Sequence, residues 1–286
     1  MKIFDIHTHG IGGYHTKSES ADDILKIAEI HASQGVSDIM PTIYPAPIES
    51  MRQNLGAVKT AMGIQKNSKG NAANINGIYL EGPFLNPSKC GALDASSFLK
   101  PDEKFLKKLV EGFEDVIKII TIAPELDGAI ELIRKISDMG IIVSMGHSDA
   151  TYVQAEAGYN AGARGITHLF NAMRGIHHRD PGIAGFGLMN KDIYVEVIAD
   201  PFHLNHRIVD FIFKTKDNDK IIVISDSVKD SMMTGYSEGI RNERSNLMGG
   251  SVAVTDAVDM LIKRGLKKKN VMKAISENPE KFLHII

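Results

Sequence analysis

The sequence predicts an α/β protein folded as a (β/α)8 barrel of the TIM type, and three observations predict it. Short β-rich runs alternate with longer stretches of helical periodicity from the third residue onward. Eight such runs can be counted, and groups capable of chemistry stand at the carboxyl ends of five of them. Regular alternation implies right-handed parallel crossovers, and eight units imply closure. An open doubly wound sheet is the alternative; it would gather ligands at a topological switch point, and no glycine-rich dinucleotide or phosphate loop follows a strand here.

The elements follow in order. Ile3 to His7 reads as the first strand, and Ala21 to Ser33 as a helix with Ile24, Leu25, Ala28 and Ala32 at helical spacing. Val36 to Thr42 is the second strand, Met51 to Ile64 the second helix and Ile75 to Glu81 the third strand. The next helix starts late, near Pro101, which suits a first helical turn. Val116 to Ile122, Ile141 to Gly146 and Gly165 to Leu169 are strands four to six, separated by helices near Asp127 to Met139 and Thr151 to Ala161. Ile193 to Ala199 and Lys220 to Ser225 are the last two strands, with a helix near His206 to Lys214 between them. Helices near Ala257 to Arg264 and Val271 to Ser276 finish the chain.

Composition narrows the function. With 33 basic against 35 acidic side chains, no strong field favours nucleic acid or an anionic membrane. No apolar run approaches the ~20 residues that span a bilayer. The one cysteine, Cys90, has no partner for an internal disulfide and reads as a small filler, and no leader pattern opens the sequence. A cytoplasmic protein with a small-molecule substrate is expected.

The chemistry sits at the strand ends. The first strand closes on His7 and His9, two residues apart in an extended segment and so able to face one side. Glu81 ends the third strand, His147 the fifth, His168 the sixth and Asp226 the eighth, all on the rim where barrel enzymes build their sites. Imidazoles and carboxylates without a thiolate suit a divalent metal, with Zn²⁺ expected and Mn²⁺ or Fe²⁺ as alternatives. The loop after His168 adds Asn171, His177, His178, Arg179 and Asp180 before three glycines. Other histidines are read as bystanders: His31 and His284 as surface groups, His206 as a solvent-facing helix start, and His15 as a residue at the mouth of the site.

The stretches DIHTHG, YLEGPFLNPSKCGA, TIAPE, SMGHSDATY, THLFNAM, RDPGIAG, IADPFHLN and SDS, with a Gly-Gly-Ser near Ser251, run in one order from Asp5 onward. They resemble the amidohydrolase superfamily, and more narrowly its N-acetylglucosamine-6-phosphate deacetylases. The resemblance implies a hydrolase that takes the acetyl group from an N-acetylated amino-sugar phosphate. It makes Glu81, His147 and His168 the main metal ligands, with His7, His9 and Asp226 available to a second ion, so that one or two ions are expected. Asp226 would be the general base and acid, and His203 would orient the substrate or stabilise charge. The substrate would lie against Ala92, Asn171, Ala172, Arg179, His203, Leu247, Met248 and Gly249, with Arg179 on the phosphate.

Three departures stand beside the resemblance. The small β-sandwich domain usual in the family is expected to be absent, leaving residues 1–286 as a single catalytic barrel. Apolar barrel surface would then need a partner, so a homodimer or larger homo-oligomer is expected. Leu93 stands where the family has a histidine, and Val228 to Asn246 follows the family pattern loosely. Two rival readings therefore accompany the deacetylase: an amidohydrolase acting on another amide or cyclic amide, and a catalytically idle barrel that binds a sugar phosphate.

Overall fold

The computed structural model describes residues 2–67, 70–233 and 238–284. Eight barrel strands carry the architecture: β1 (Phe4–Thr8), β2 (Asp38–Ile43), β3 (Ile78–Glu81), β4 (Ile117–Ile122), β5 (Ile142–Met145), β6 (Gly165–Ile166), β7 (Tyr194–Ile198) and β8 (Ile221–Ile224). Each pairs in parallel with the next in sequence, for example Val195 with Ile221 and Glu196 with Ile222. The seam between first and last strands closes through main-chain bonds, Asp226 N–H donating to His7 O at 2.9 Å and His9 N–H to Ser227 O at 2.7 Å. These bonds exclude the open doubly wound sheet and also place three prospective ligands across one seam.

Helices α1 (Ala21–Ser33), α2 (Ile48–Asn67), α3 (Glu103–Val110), α4 (Ala129–Asp138), α5 (Tyr152–Ala161), α6 (Gly182–Met189), α7 (His206–Thr215) and α8 (Val254–Lys263) follow the strands in turn, and α9 (Lys268–Ala274) and α10 (Glu277–Leu283) come last. Local chemistry starts several of them: the Ser20 hydroxyl accepts from Asp23 N–H, and Thr151 with Gln154 forms a full capping box. A large apolar layer lies between strands and helices, built from side chains such as Ile24, Leu55, Ile133 and Val195. A smaller one, including Ile6, Met40, Tyr79, Ile119 and Ile222, takes one or two side chains from most strands and fills the barrel.

Several boundaries differ from the sequence reading. The third strand is broken into Asn74–Ile75 and Ile78–Glu81, with Gly77 at φ 144° between them, and the sixth shrinks to two residues. Helix α6 is absent from the sequence reading because its GIAGFGLM sequence contains three glycines, poor helix formers on their own. Tertiary packing overrides propensity: a Cβ on Gly187 would come within 3.1 Å of Ile166 and 3.3 Å of Leu169, so the missing side chain lets the helix lie against the sheet. His31 is a further correction. It is fully buried rather than a surface group, because the face of α1 that carries it packs on β1, where its Nε2 meets Thr8 Oγ1 at 3.1 Å.

Candidate metal centre and active site

Strict alternation along β1 would turn His7 and His9 away from the barrel interior, since Phe4 and Ile6 already belong to its inner cluster. A register irregularity between Asp5 and Thr8 resets the phase, and both imidazoles point inward. Glu81 and Asp226 continue the inward rows of Tyr79 and Ile224 without such help. His147, His168 and Asp226 have φ of 46°, 32° and 48°, a left-handed backbone that costs non-glycine residues energy and clusters at functional sites. Two glycines hold the last of these turns. A Cβ on Gly249 would fall 2.0 Å from Asp226 O and one on Gly250 2.0 Å from Ser225 O, so the Gly-Gly-Ser stretch lies directly on the end of β8.

The ligand atoms form two groups, His7 with His9 and Asp226, and Glu81 with His147 and His168, all buried. Glu81 joins them: its Oε1 is 3.1 Å from His147 Nε2 and 2.9 Å from His168 Nε2, and its Oε2 is 3.2 Å from His9 Nε2. His7 Nε2 and His9 Nε2 are 3.3 Å apart, and Asp226 Oδ1 lies 3.4 and 3.6 Å from them.

The outer ring nitrogens determine what faces inward. His9 Nδ1–H donates to Thr42 O at 3.0 Å and His147 Nδ1–H to Lys89 O at 2.8 Å, while His7 Nδ1 meets Glu196 Oε2 at 3.1 Å. A carbonyl oxygen only accepts, so the proton of a neutral His9 or His147 is on Nδ1 and the lone pair of Nε2 is turned to the centre. Burial lowers the pKa of His7 to about 4 and also lowers His9 and His168, so these rings are neutral at neutral pH. Burial would raise Glu81, and positive charge or protons shared with the facing His147, His168 and His9 nitrogens outweigh it and hold its carboxyl well below the usual range. Burial, followed by the charges of Glu81 and Glu196, raises Asp226. Imidazole nitrogens and carboxylate oxygens thus crowd one buried point with little positive charge between them, and a divalent cation is a partner that such a donor set fits.

Above the centre opens a cavity of about 370 Å³. Ala92, Leu93, Asn171, Ala172, His203, Leu247, Met248 and Gly249 line it together with His9, Glu81, His147, His168 and Asp226. Most of the residues expected at the substrate are thus brought together from distant loops. Arg179 is not among them. It lies on an exposed turn with its Nη1 donating to His178 Nε2 at 2.9 Å, beside a separate shallow depression that includes Val153, Asp180 and Met189. Asp180 is tied to Arg174 at 2.8 Å and serves the loop itself.

His203 lines the cavity with both ring nitrogens already engaged by the protein. Its Nδ1 faces the Asp200 carboxylate at 3.0 Å and its Nε2 donates to Met248 O at 2.6 Å, so the ring links Asp200 to the 247–249 turn. Sequence reasoning missed Asp200, Glu196, Lys17 and Tyr44. Lys17 and Tyr44 line the cavity, the ammonium 4.4 Å from the ring centroid and the ring stacked on His9 at 3.7 Å. Glu196 was visible as a lone carboxylate inside the apolar run YVEVI. Nothing in the sequence around Lys17 or Tyr44 marks them; only the fold brings them to the cavity.

Comparison with known proteins agrees with this geometry. The model of the Amidohydrolase family matches residues 2–285. An N-acetylgalactosamine-6-phosphate deacetylase of Escherichia coli O157:H7 is 32% identical over 248 residues, covering 87% of this chain and 64% of that protein. An N-acetylglucosamine-6-phosphate deacetylase of Vibrio furnissii is 34% identical over 244 residues, 83% of this chain and 57% of its own length. The chain thus spans less than two thirds of these relatives. Among solved structures, the N-acetylglucosamine-6-phosphate deacetylase of Thermotoga maritima superposes with a TM-score of 0.89 at 27% identity, covering 99% of this chain and 78% of that one. The Mycobacterium smegmatis enzyme, in a substituted form in complex with N-acetyl-D-glucosamine-6-phosphate, gives 0.86 at 26% identity, with 99% and 77% covered. By sequence over nearly its whole length, and by a barrel with two groups of side chains able to hold a metal at its strand ends, the chain belongs to the amidohydrolase family.

Proposed function

We propose that the chain is a metal-dependent hydrolase that removes the acetyl group from an N-acetylated amino-sugar phosphate, releasing acetate and the amino-sugar phosphate. N-acetylglucosamine 6-phosphate is the expected substrate, and Zn²⁺ the expected ion. The observation that carries the reading is the acceptor-rich centre itself, with His9 Nε2 against Glu81 Oε2 at 3.2 Å, lying at the base of a cavity lined by Asp226. The relatives' names, gluco in one and galacto in the other, supply the substrate class.

Glu81, His147 and His168 would hold one ion, and His7, His9 and Asp226 a second. When bound there, a divalent ion would supply a lowered pKa for water and polarisation of the amide carbonyl. The chain's own residues do the rest. Asp226, at the cavity wall, takes the proton of the attacking water and returns it to the nitrogen as the carbon–nitrogen bond breaks. Burial, then the neighbouring carboxylates, raise its pKa above the ordinary carboxylate range, which helps it hold the proton it must return. Asn171 and the 247–249 turn stand where sugar hydroxyls would be received, and His203 fixes that turn through Met248 O.

The phosphate needs a cation. Among the described residues, Lys17 is the Lys or Arg side chain that lines the cavity, and we assign the phosphate contact within one chain to it. Arg179 contributes if a second copy brings it to the mouth. The exposed Val153 and Met189 beside Arg179, 70% and 57% accessible, support the homo-oligomer that this would require. A cytoplasmic setting belongs to the same proposal, because a charged sugar phosphate is hydrolysed on the side of the membrane where it is made. Leu93, an apolar group on the cavity wall, favours one second reading, hydrolysis of a different acyl amide. Acetate release from phosphorylated and unphosphorylated N-acetylglucosamine and N-acetylgalactosamine separates the two: turnover confined to other amides overturns the deacetylase.

A further inference from the structure

Of the four imidazoles at the centre, His9 and His147 have their outer nitrogen on a main-chain carbonyl, Thr42 O and Lys89 O, and His168 Nδ1 has no hydrogen-bond partner. His7 alone is held from behind by a side chain. That side chain is Glu196, on the inward face of β7 and 1% exposed. Its Oε2 lies 3.1 Å from His7 Nδ1 and 3.4 Å from the main-chain N–H of His168, so one oxygen reaches a ligand from each group. Its Oε1 is buried without a partner, a costly arrangement for a carboxylate with no task.

We propose that Glu196 is a positioning residue of the metal centre. By accepting the Nδ1–H of His7 it fixes that ring with Nε2 turned inward, and so sets the affinity of the His7–His9–Asp226 position. The Glu81–His147–His168 position relies on it only through the weaker contact to the His168 main chain. This rests on the metal-dependent reading above, but concerns binding and not turnover. Carboxylates behind metal-bound histidines commonly contribute about ten- to a hundredfold in affinity. The two ions should therefore respond unequally to its loss.

The test titrates the metal-free full chain with Zn²⁺ in a buffered series, for the parent, Glu196→Gln and Glu196→Leu. Metal content per chain and anomalous scattering at the two positions give the readouts. The expected result is two ions for the parent. Glu196→Leu should show about a ten- to hundredfold loss at the His7 position and a change of less than about threefold at the Glu81 position. Glu196→Gln, which keeps an acceptor oxygen, should lie between them. Thermal unfolding of the metal-free proteins guards against misfolding: Glu196→Leu removes a buried acid and should melt no lower than the parent. Equal loss at both positions, unchanged affinity at both, or a parent that never takes a second ion would each overturn the proposal. A parent that binds both ions but releases no acetate would count against the deacetylase reading and leave this inference standing.

Discussion

His9 Nε2 and Glu81 Oε2 face each other at 3.2 Å with no proton to share. The hydrogen of a neutral His9 is spent on Thr42 O and burial disfavours a second, so the positive charge that keeps Glu81 ionised must come from elsewhere at the centre. Two lone pairs in a dry site repel unless a cation lies between them, and the first expectation follows from this contact.

Glu81→Gln should bind less metal at both positions, because this one carboxylate touches ligands of both groups. Metal content after dialysis against trace Zn²⁺ should fall, and acetate release with it. An enzyme with full metal content and full activity would show that Glu81 is not a ligand.

Asp226→Asn keeps the shape of the side chain and removes its capacity to carry a proton. We expect kcat to fall by roughly a hundredfold or more, the range of general acid–base catalysis, with KM changing far less. Steady-state kinetics on the metal-loaded variant measure it. A near-native kcat would make Asp226 a ligand or a structural group only.

Lys17 and Arg179 make a direct comparison. Lys17→Met should raise KM for the phosphorylated sugar about tenfold or more, since a charge-assisted contact contributes roughly 1.5–3 kcal/mol, and should leave the unphosphorylated sugar unaffected. Arg179→Met should do the same only if the protein is a dimer or larger by light scattering. Equal losses on both sugars would assign either residue to loop structure.

His31 gives a pH dependence to stability. Burial lowers its pKa to about 4, against an ordinary value of 6.5. Between those values the unfolded chain takes a proton that the folded chain refuses, so stability falls as pH drops through that window. Replacing His31 by Leu should remove roughly 2 kcal/mol of the difference between pH 7 and pH 5. Urea unfolding of the metal-free protein at the two pH values tests this; identical slopes in parent and variant would contradict it.

The barrel was legible because hydrophobic runs and helical spacing repeat with little interruption, and the candidate ligands because they cap those runs. What was illegible depends on three dimensions. Glycine-rich α6 looks like a loop until Ile166 and Leu169 are packed beneath it. His31 looks like a surface residue until Thr8 accounts for one of its nitrogens. The inward turn of His7 and His9 needs an irregularity in β1 that no periodicity reveals. Arg179, assigned by resemblance, lies outside the cavity of one chain, so its part depends on a second copy, which sequence alone does not place. His203 stands at the cavity as expected, yet its nitrogens are occupied by Asp200 and Met248 O.

The most direct test of the central claim is acetate release from N-acetylglucosamine 6-phosphate, measured on chelated protein and again after stepwise return of Zn²⁺. Release should be negligible without metal and should rise with bound ions per chain. Full activity in the chelated protein, or none at any loading on any N-acetylated amino-sugar phosphate, would contradict it.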